Sequence, residues 1–351
     1  MREATTGSTR RNRAGTGVRI RYLLPMLAGA AMISGSVEAQ VRREGAVPLE
    51  TVADVGLPGH ATRMDYISVA PAVHRVFLAH MGDGTVVAVD TDSRTVAGEV
   101  HGIPRVRGVL AVPQLGRVYA AAAGTGEVVV ADAATLRVVA RIPAGNVDGL
   151  DYVPSVKRLF VSDQHGGNDV VIDTATDRVV TRILVGPDVG NTRFDPATGQ
   201  VLVAVGSDNA VVAIDPADLK VRGRYPLPGI EGAHGIALDP STRTAFVAGE
   251  GNGRVCALAL DQGEVRAEAA VGEGVDVLDV DPGTHRLFVA SESGVVSVFD
   301  VAGGGLRKLA EGFYAPHAHV VGVDPTTHLL YFPLQDVGGH PVLRIARYTG
   351  P

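Results

Sequence analysis

Residues 159–186 read LFVSDQHGGNDVVIDTATDRVVTRILVG, three apolar runs broken by two polar turns. The first break, His165-Gly166-Gly167-Asn168, offers residues that tolerate positive φ and so closes a tight hairpin. The second opens on Asp173, whose carboxylate at a strand end can bond the backbone ahead of it and start the next turn. Val and Ile dominate the runs, which favours strands over helix. The stretch therefore predicts consecutive antiparallel strands.

Outward from this stretch the same pattern recurs. A turn residue followed by Pro stands at Ala70, Val112, Val153, Asp195, Asp239, Asp281 and Asp324, giving seven copies spaced 42, 41, 42, 44, 42 and 43 residues apart. Each copy has a short apolar strand before the Pro, then a second such as RVFLAH, RLFVSD or RLFVAS. A Gly-rich turn leads to a third strand, which ends in Asp90, Asp132, Asp173, Asp215 and Asp300 in five of the copies. The fourth runs as RVVARI, RVVTRI or KVRGRY. A four-stranded sheet with two apolar faces cannot bury both alone, but seven stacked around an axis can. The fold expected is all-β: a seven-bladed β-propeller of four-stranded antiparallel blades. The seventh copy runs out of chain at Pro351 before a fourth strand, while residues 49–57 resemble the fourth strand of copy four. Those residues are expected to complete the last blade and close the ring.

The repeat resembles the YVTN family of bacterial propellers, which includes YncE-like periplasmic proteins. Residues 159–186 carry the likeness almost throughout, and it extends over roughly residues 47–351. The chain has no Trp, so the Trp-Asp signature of WD40 repeats and the tryptophan docking motif of quinoprotein dehydrogenases are excluded. The resemblance implies a fold more than an activity, since such propellers serve as binding platforms, enzymes and carriers of metal centres.

Residues 1–39 have the three parts of a secretory leader: five arginines between Arg10 and Arg21, the apolar run LLPMLAGAAMI, and small residues up to Ala39. Cleavage there leaves residues 40–351 as one propeller domain, periplasmic or secreted, with no stable membrane insertion. That part carries 26 basic and 36 acidic residues, a net charge of −10, which disfavours nucleic acid. Its single cysteine, Cys256, allows no intrachain disulfide. A monomer held by packing alone is expected.

Chemistry should gather where the innermost strands reach the channel mouth. Five residues before each Pro-turn position stand Asp65, Arg107, Asp148, Gly190, His234, Asp276 and His319, with Arg63, Asn191 and His317 beside them. Asp65, Arg107, Asp148, Asn191, His234, Asp276 and His319 are the candidate ligand-binding residues. His234, His317, His319 and Asp276 could hold a divalent metal ion, the one candidate cofactor, His317 and His319 projecting to one side of a strand. Against both stands a plain structural role, because polar residues lining such an axis often bond neighbouring loops. No GxSxG, zincin, phosphate-loop or haem motif is present. The reading is a non-enzymatic platform for a small polar ligand or a protein partner. The alternative is a lactonase-type hydrolase or a metal-dependent enzyme using the same ring.

Overall fold

The computed structural model describes residues 47–351; the leader expected at residues 1–39 lies outside them. Seven four-stranded antiparallel sheets are present; in six the strands lie in chain order from the axis outward, and the seventh takes its outermost strand from the start of the described residues. Blade 1 is Ile67–Ala70, Arg75–His80, Thr85–Asp90 and Thr95–Val100. The innermost strands of blades 2 to 6 are Val106–Val112, Val147–Val153, Val189–Asp195, Ala233–Asp239 and Val275–Asp281. Each packs against the next, and the innermost strand of blade 7, Gly322–Asp324, packs against that of blade 1. Apolar side chains from facing sheets fill the gaps between blades, as where Val112, Tyr119 and Val130 of blade 2 meet Leu150, Leu159 and Ile172 of blade 3. Cys256 sits inside one such layer, and burial pushes its thiol up to about 12, as expected of an inert core residue.

The recurring aspartates act locally. Asp132 accepts from the backbone N–H of Thr135 at 2.7 Å, and Asp173 from that of Thr176 at 2.8 Å, so each closes the turn after its strand. The aspartate before Pro does likewise, Asp324 accepting from the N–H of Thr326 at 2.8 Å. His74, His285 and His328 take left-handed backbone conformations, with φ of 51°, 52° and 58°, where blade 2 uses Gly116. They are turn residues on the face away from the channel mouth.

Blade 7 closes as expected. Leu49–Gly56 pairs antiparallel with His340–Tyr348, from Leu49 opposite Tyr348 to Gly56 opposite Val342, with one bulge between Thr51 and Ala53. Outside this ladder Leu57 N–H donates to Pro341 at 2.9 Å and Thr349 N–H to Pro48 at 2.9 Å. Arg344 clamps Asp54 with two hydrogen bonds of 2.7 Å. Val55 and Leu57 enter the core beside Met64, Leu343 and Ile345. The clasp thus combines a ladder, buried apolar contact and one surface ion pair, and burial should dominate. We expect Val55→Asp to cost about 3 kcal/mol or more in urea denaturation, because it buries an unpaired charge. Arg344→Ala should cost only about 0–1 kcal/mol. Equal losses would show that the ion pair, not the packing, fastens the ring.

Candidate functional site

The second residue of each innermost strand in blades 2 to 6 is the one the repeat register singled out, and a local irregularity aims it. In all five, pairing with the next strand slips between the first and fourth residues, as between Val106 and Val109 or Val147 and Leu150. Such a bulge re-aims the side chains within it. Here it turns Arg107, Asp148, His234 and Asp276 toward the axis. Neighbouring strands approach so closely there that a Cβ on Gly108 would stand 2.2 Å from the Asp148 carbonyl oxygen, and one on Gly235 2.3 Å from that of Asp276. Asp65 precedes the shorter first strand of blade 1 and is held by its N–H to Ala79 O at 2.9 Å.

These residues line one cavity of about 260 Å³, with Arg63, Tyr66, Met81, Gln164 and Glu250. Asp65, Arg107, Asp148, His234 and Asp276 are therefore brought together. Asn191 is not in the lining; it is buried and its amide donates to the Tyr66 hydroxyl. Tyr66 packs with Val277 and Val320 on the axis and is the one residue shared with a second cavity of about 310 Å³. The channel is thus divided at Tyr66.

The metal set expected from the sequence does not converge. His317 and His319 precede the short strand Gly322–Asp324 rather than lying on it, and His317 has φ of 54°, so strand alternation does not apply. His317 is left at the surface beside Glu292, while His319 is buried. His234 turns instead to Asp148, Nε2 to Oδ2 3.7 Å. Among the described residues, the only group with metal-ligand spacing is Asp65, Asp276 and His319, their nearest atoms within 4.8 Å of one another. Both ring nitrogens of His319 already face backbone carbonyls, His317 O at 2.8 Å and Met64 O at 3.1 Å. A neutral imidazole donates to only one of them, and ligation would require its other nitrogen to turn from the second carbonyl toward the metal.

Two tiers of polar residues line the channel, and they differ in what they bond. Beyond Tyr66, two residues before the Pro-turn positions of blades 1, 3 and 6, Ser68, Asp151 and Asp279 each cap the next blade. Ser68 Oγ accepts from Ala111 N–H at 3.0 Å, Asp151 from Phe194 N–H at 2.8 Å, and Asp279 from Val323 N–H at 2.9 Å. The mouth tier behaves otherwise. No hydrogen bond among the described residues reaches the carboxylate of Asp65, Asp148 or Asp276, all three buried, and Asp148 Oδ1 is fully enclosed without a partner. The arginines make their hydrogen bonds elsewhere: Arg63 to Glu292, and Arg107 to Gln164 at 2.5 Å. Each stands 3.6 Å from its aspartate, Arg63 from Asp276 and Arg107 from Asp148.

The charges respond accordingly. Burial, then the nearby Asp276 and Asp148, push the Asp65 carboxyl well above the usual range despite Arg63 and Arg107. Burial likewise raises Asp148 against the pull of His234 and Arg107. For His234 burial works against the cation, but Asp148, Asp276, Glu250 and Asp188 together outweigh it and raise its pKa. The mouth thus crowds carboxyl groups whose charge burial opposes around a histidine whose charge they favour.

Sequence reasoning missed Met81, Gln164, Glu250 and Glu292. All stand eleven residues after a Pro-turn position, directly behind the second strand. The register that located the inner ring would have found this outer one. Tyr66, one residue past the ring in blade 1, carried no such signal.

The fold and this mouth define a seven-bladed β-propeller with an acidic, partly enclosed channel entrance. Residues 143–336 match the repeat family described as outer membrane protein assembly factor BamB, and the chain belongs to that family. No curated protein matches the chain. The solved structure titled "Structure of U3-55K" is similar in fold, with TM-score 0.72 and 13% identity over 85% of this chain and 99% of that one.

Because Asp148 helps hold His234 in its charged form against burial, Asp148→Asn should lower the His234 titration midpoint, as followed by NMR of the imidazole. An unmoved midpoint would show that the pair does not set the charge of the ring.

Proposed function

We propose that the protein is an exported binding platform that takes a small polar ligand at its channel mouth. The observation that carries this reading is the difference between the tiers. The deeper aspartates are spent on capping neighbouring strands, whereas Asp65, Asp148 and Asp276 are buried and accept no hydrogen bond from the fold, Asp148 and Asp276 holding only ion pairs of 3.6 to 4.0 Å. Buried polar groups are normally satisfied, so three carboxylates facing one cavity are best explained by a ligand that satisfies them. The arginine-rich leader supports export, and the family's description as an outer membrane assembly factor fits a place beyond the inner membrane and adds a protein partner to the roles open to this face. The YVTN-like character of residues 159–186 agrees with the same periplasmic setting.

A hydrolase of the lactonase type would use His234 as base with Asp148 behind it. A general base must be neutral, and four surrounding carboxylates favour the imidazolium instead. Binding without turnover is the better reading.

The test is a calorimetric screen of the mature protein against small polar cations, anions and neutral compounds. The combined Asp65→Asn, Asp148→Asn and Asp276→Asn variant should stay folded and bind any hit at least tenfold more weakly. Hits that bind this variant as tightly as the parent would place the binding surface elsewhere.

A further inference from the structure

Resting on that reading, we infer that the ligand group received by the channel mouth is an alkyl ammonium ion, either a free amine or a lysine side chain of a protein partner. The cavity lining holds four carboxylates, Asp65, Asp148, Glu250 and Asp276, against the guanidiniums of Arg63 and Arg107 and the imidazole of His234. The arginines make their hydrogen bonds to Glu292 and Gln164, and reach the aspartates only as ion pairs of 3.6 Å.

Geometry selects the ammonium. Oxygens of Asp65 and Asp276 lie within 4.8 Å of each other. A charge-assisted N–H···O contact is about 2.8 Å long, and two of them at a tetrahedral nitrogen span roughly 4.6 Å. An ammonium has three donors, and Asp148, whose Oδ1 has no hydrogen-bond partner, lines the same cavity as a third carboxylate. The oxygens of Asp65 and Asp276 are thus close enough for one ammonium nitrogen to bridge, and its charge would favour the ionised form of Asp65.

A bare metal ion fits less well. With both ring nitrogens of His319 facing backbone carbonyls, too few ligands are free for a zinc site. Calcium would want six or more oxygens. The space, about 260 Å³, also far exceeds the roughly 30 Å³ of one water-sized occupant, which leaves room for an organic body beside Met81.

The experiment is isothermal titration of the mature protein with n-butylamine, 1,4-diaminobutane and an N-acetylated, C-amidated lysine tripeptide. Butanol, butyrate and calcium chloride serve as the comparison. At least one amine or the peptide should bind ten times more tightly than butanol and butyrate. Asp65→Asn and Asp276→Asn, nearly isosteric, should each weaken it at least tenfold without lowering the melting temperature. Binding of the free amines supports a metabolite, and binding of the peptide alone supports a protein partner. Tighter binding of butyrate or calcium, or no preference for amines over butanol, overturns the ammonium assignment. If butyrate binds and the triple asparagine variant loses it, the small-ligand platform stands while the ammonium falls.

Discussion

Seven sheets can share one axis only if the innermost strand of each, an open edge, satisfies its inward backbone groups while lying close to its neighbour. In blades 1, 3 and 6 this is done by a side chain: Ser68, Asp151 and Asp279 each accept an N–H from the next blade. The spacing that makes these bonds also leaves no room for a Cβ at Gly108 or Gly235. Closure then requires that blade 7 borrow its outer strand from Leu49–Gly56, so the whole ring depends on a contact between residues nearly three hundred apart in sequence. With one cysteine, no covalent bond substitutes for it.

The same convergence creates the mouth. Bulges at the start of the innermost strands of blades 2 to 6 point their second residues inward, and Tyr66, held by Asn191, divides the channel so that the charged entrance is a bounded cavity rather than an open bore. Burial in that setting raises Asp65 and Asp148, while the surrounding carboxylates hold His234 toward its cationic form. Structure and chemistry are separated by a few residues along one strand. In blade 3, Asp148 faces the cavity and Asp151 caps the next blade.

Most of the fold was legible because the repeat register is written in turn residues, Asp or its equivalents before Pro, whose conformational demands are local. The clasp was legible from a missing strand at one end and an extra one at the other. The inner ring followed from register too, and five of its seven proposed binding residues line one cavity. Asn191 stands outside the cavity lining, and its position beside the ring does not reveal that its amide reaches Tyr66, 125 residues away in sequence. His317 and His319 were misread because the first strand of blade 7 begins only at Gly322, leaving both in irregular backbone. Side-chain direction in a bulge or before a strand depends on φ and ψ, which residue spacing does not encode.

The central claim is that the two tiers of the channel do different work, and denaturation of an alanine series measures it directly. Asp151→Ala and Asp279→Ala should each lose about 1–3 kcal/mol, since each strands a backbone N–H that has no other partner. Asp65→Ala should leave stability unchanged or higher, because it removes a buried carboxyl that makes neither a hydrogen bond nor an ion pair. Losses of similar size in both tiers would mean that the mouth aspartates are structural after all.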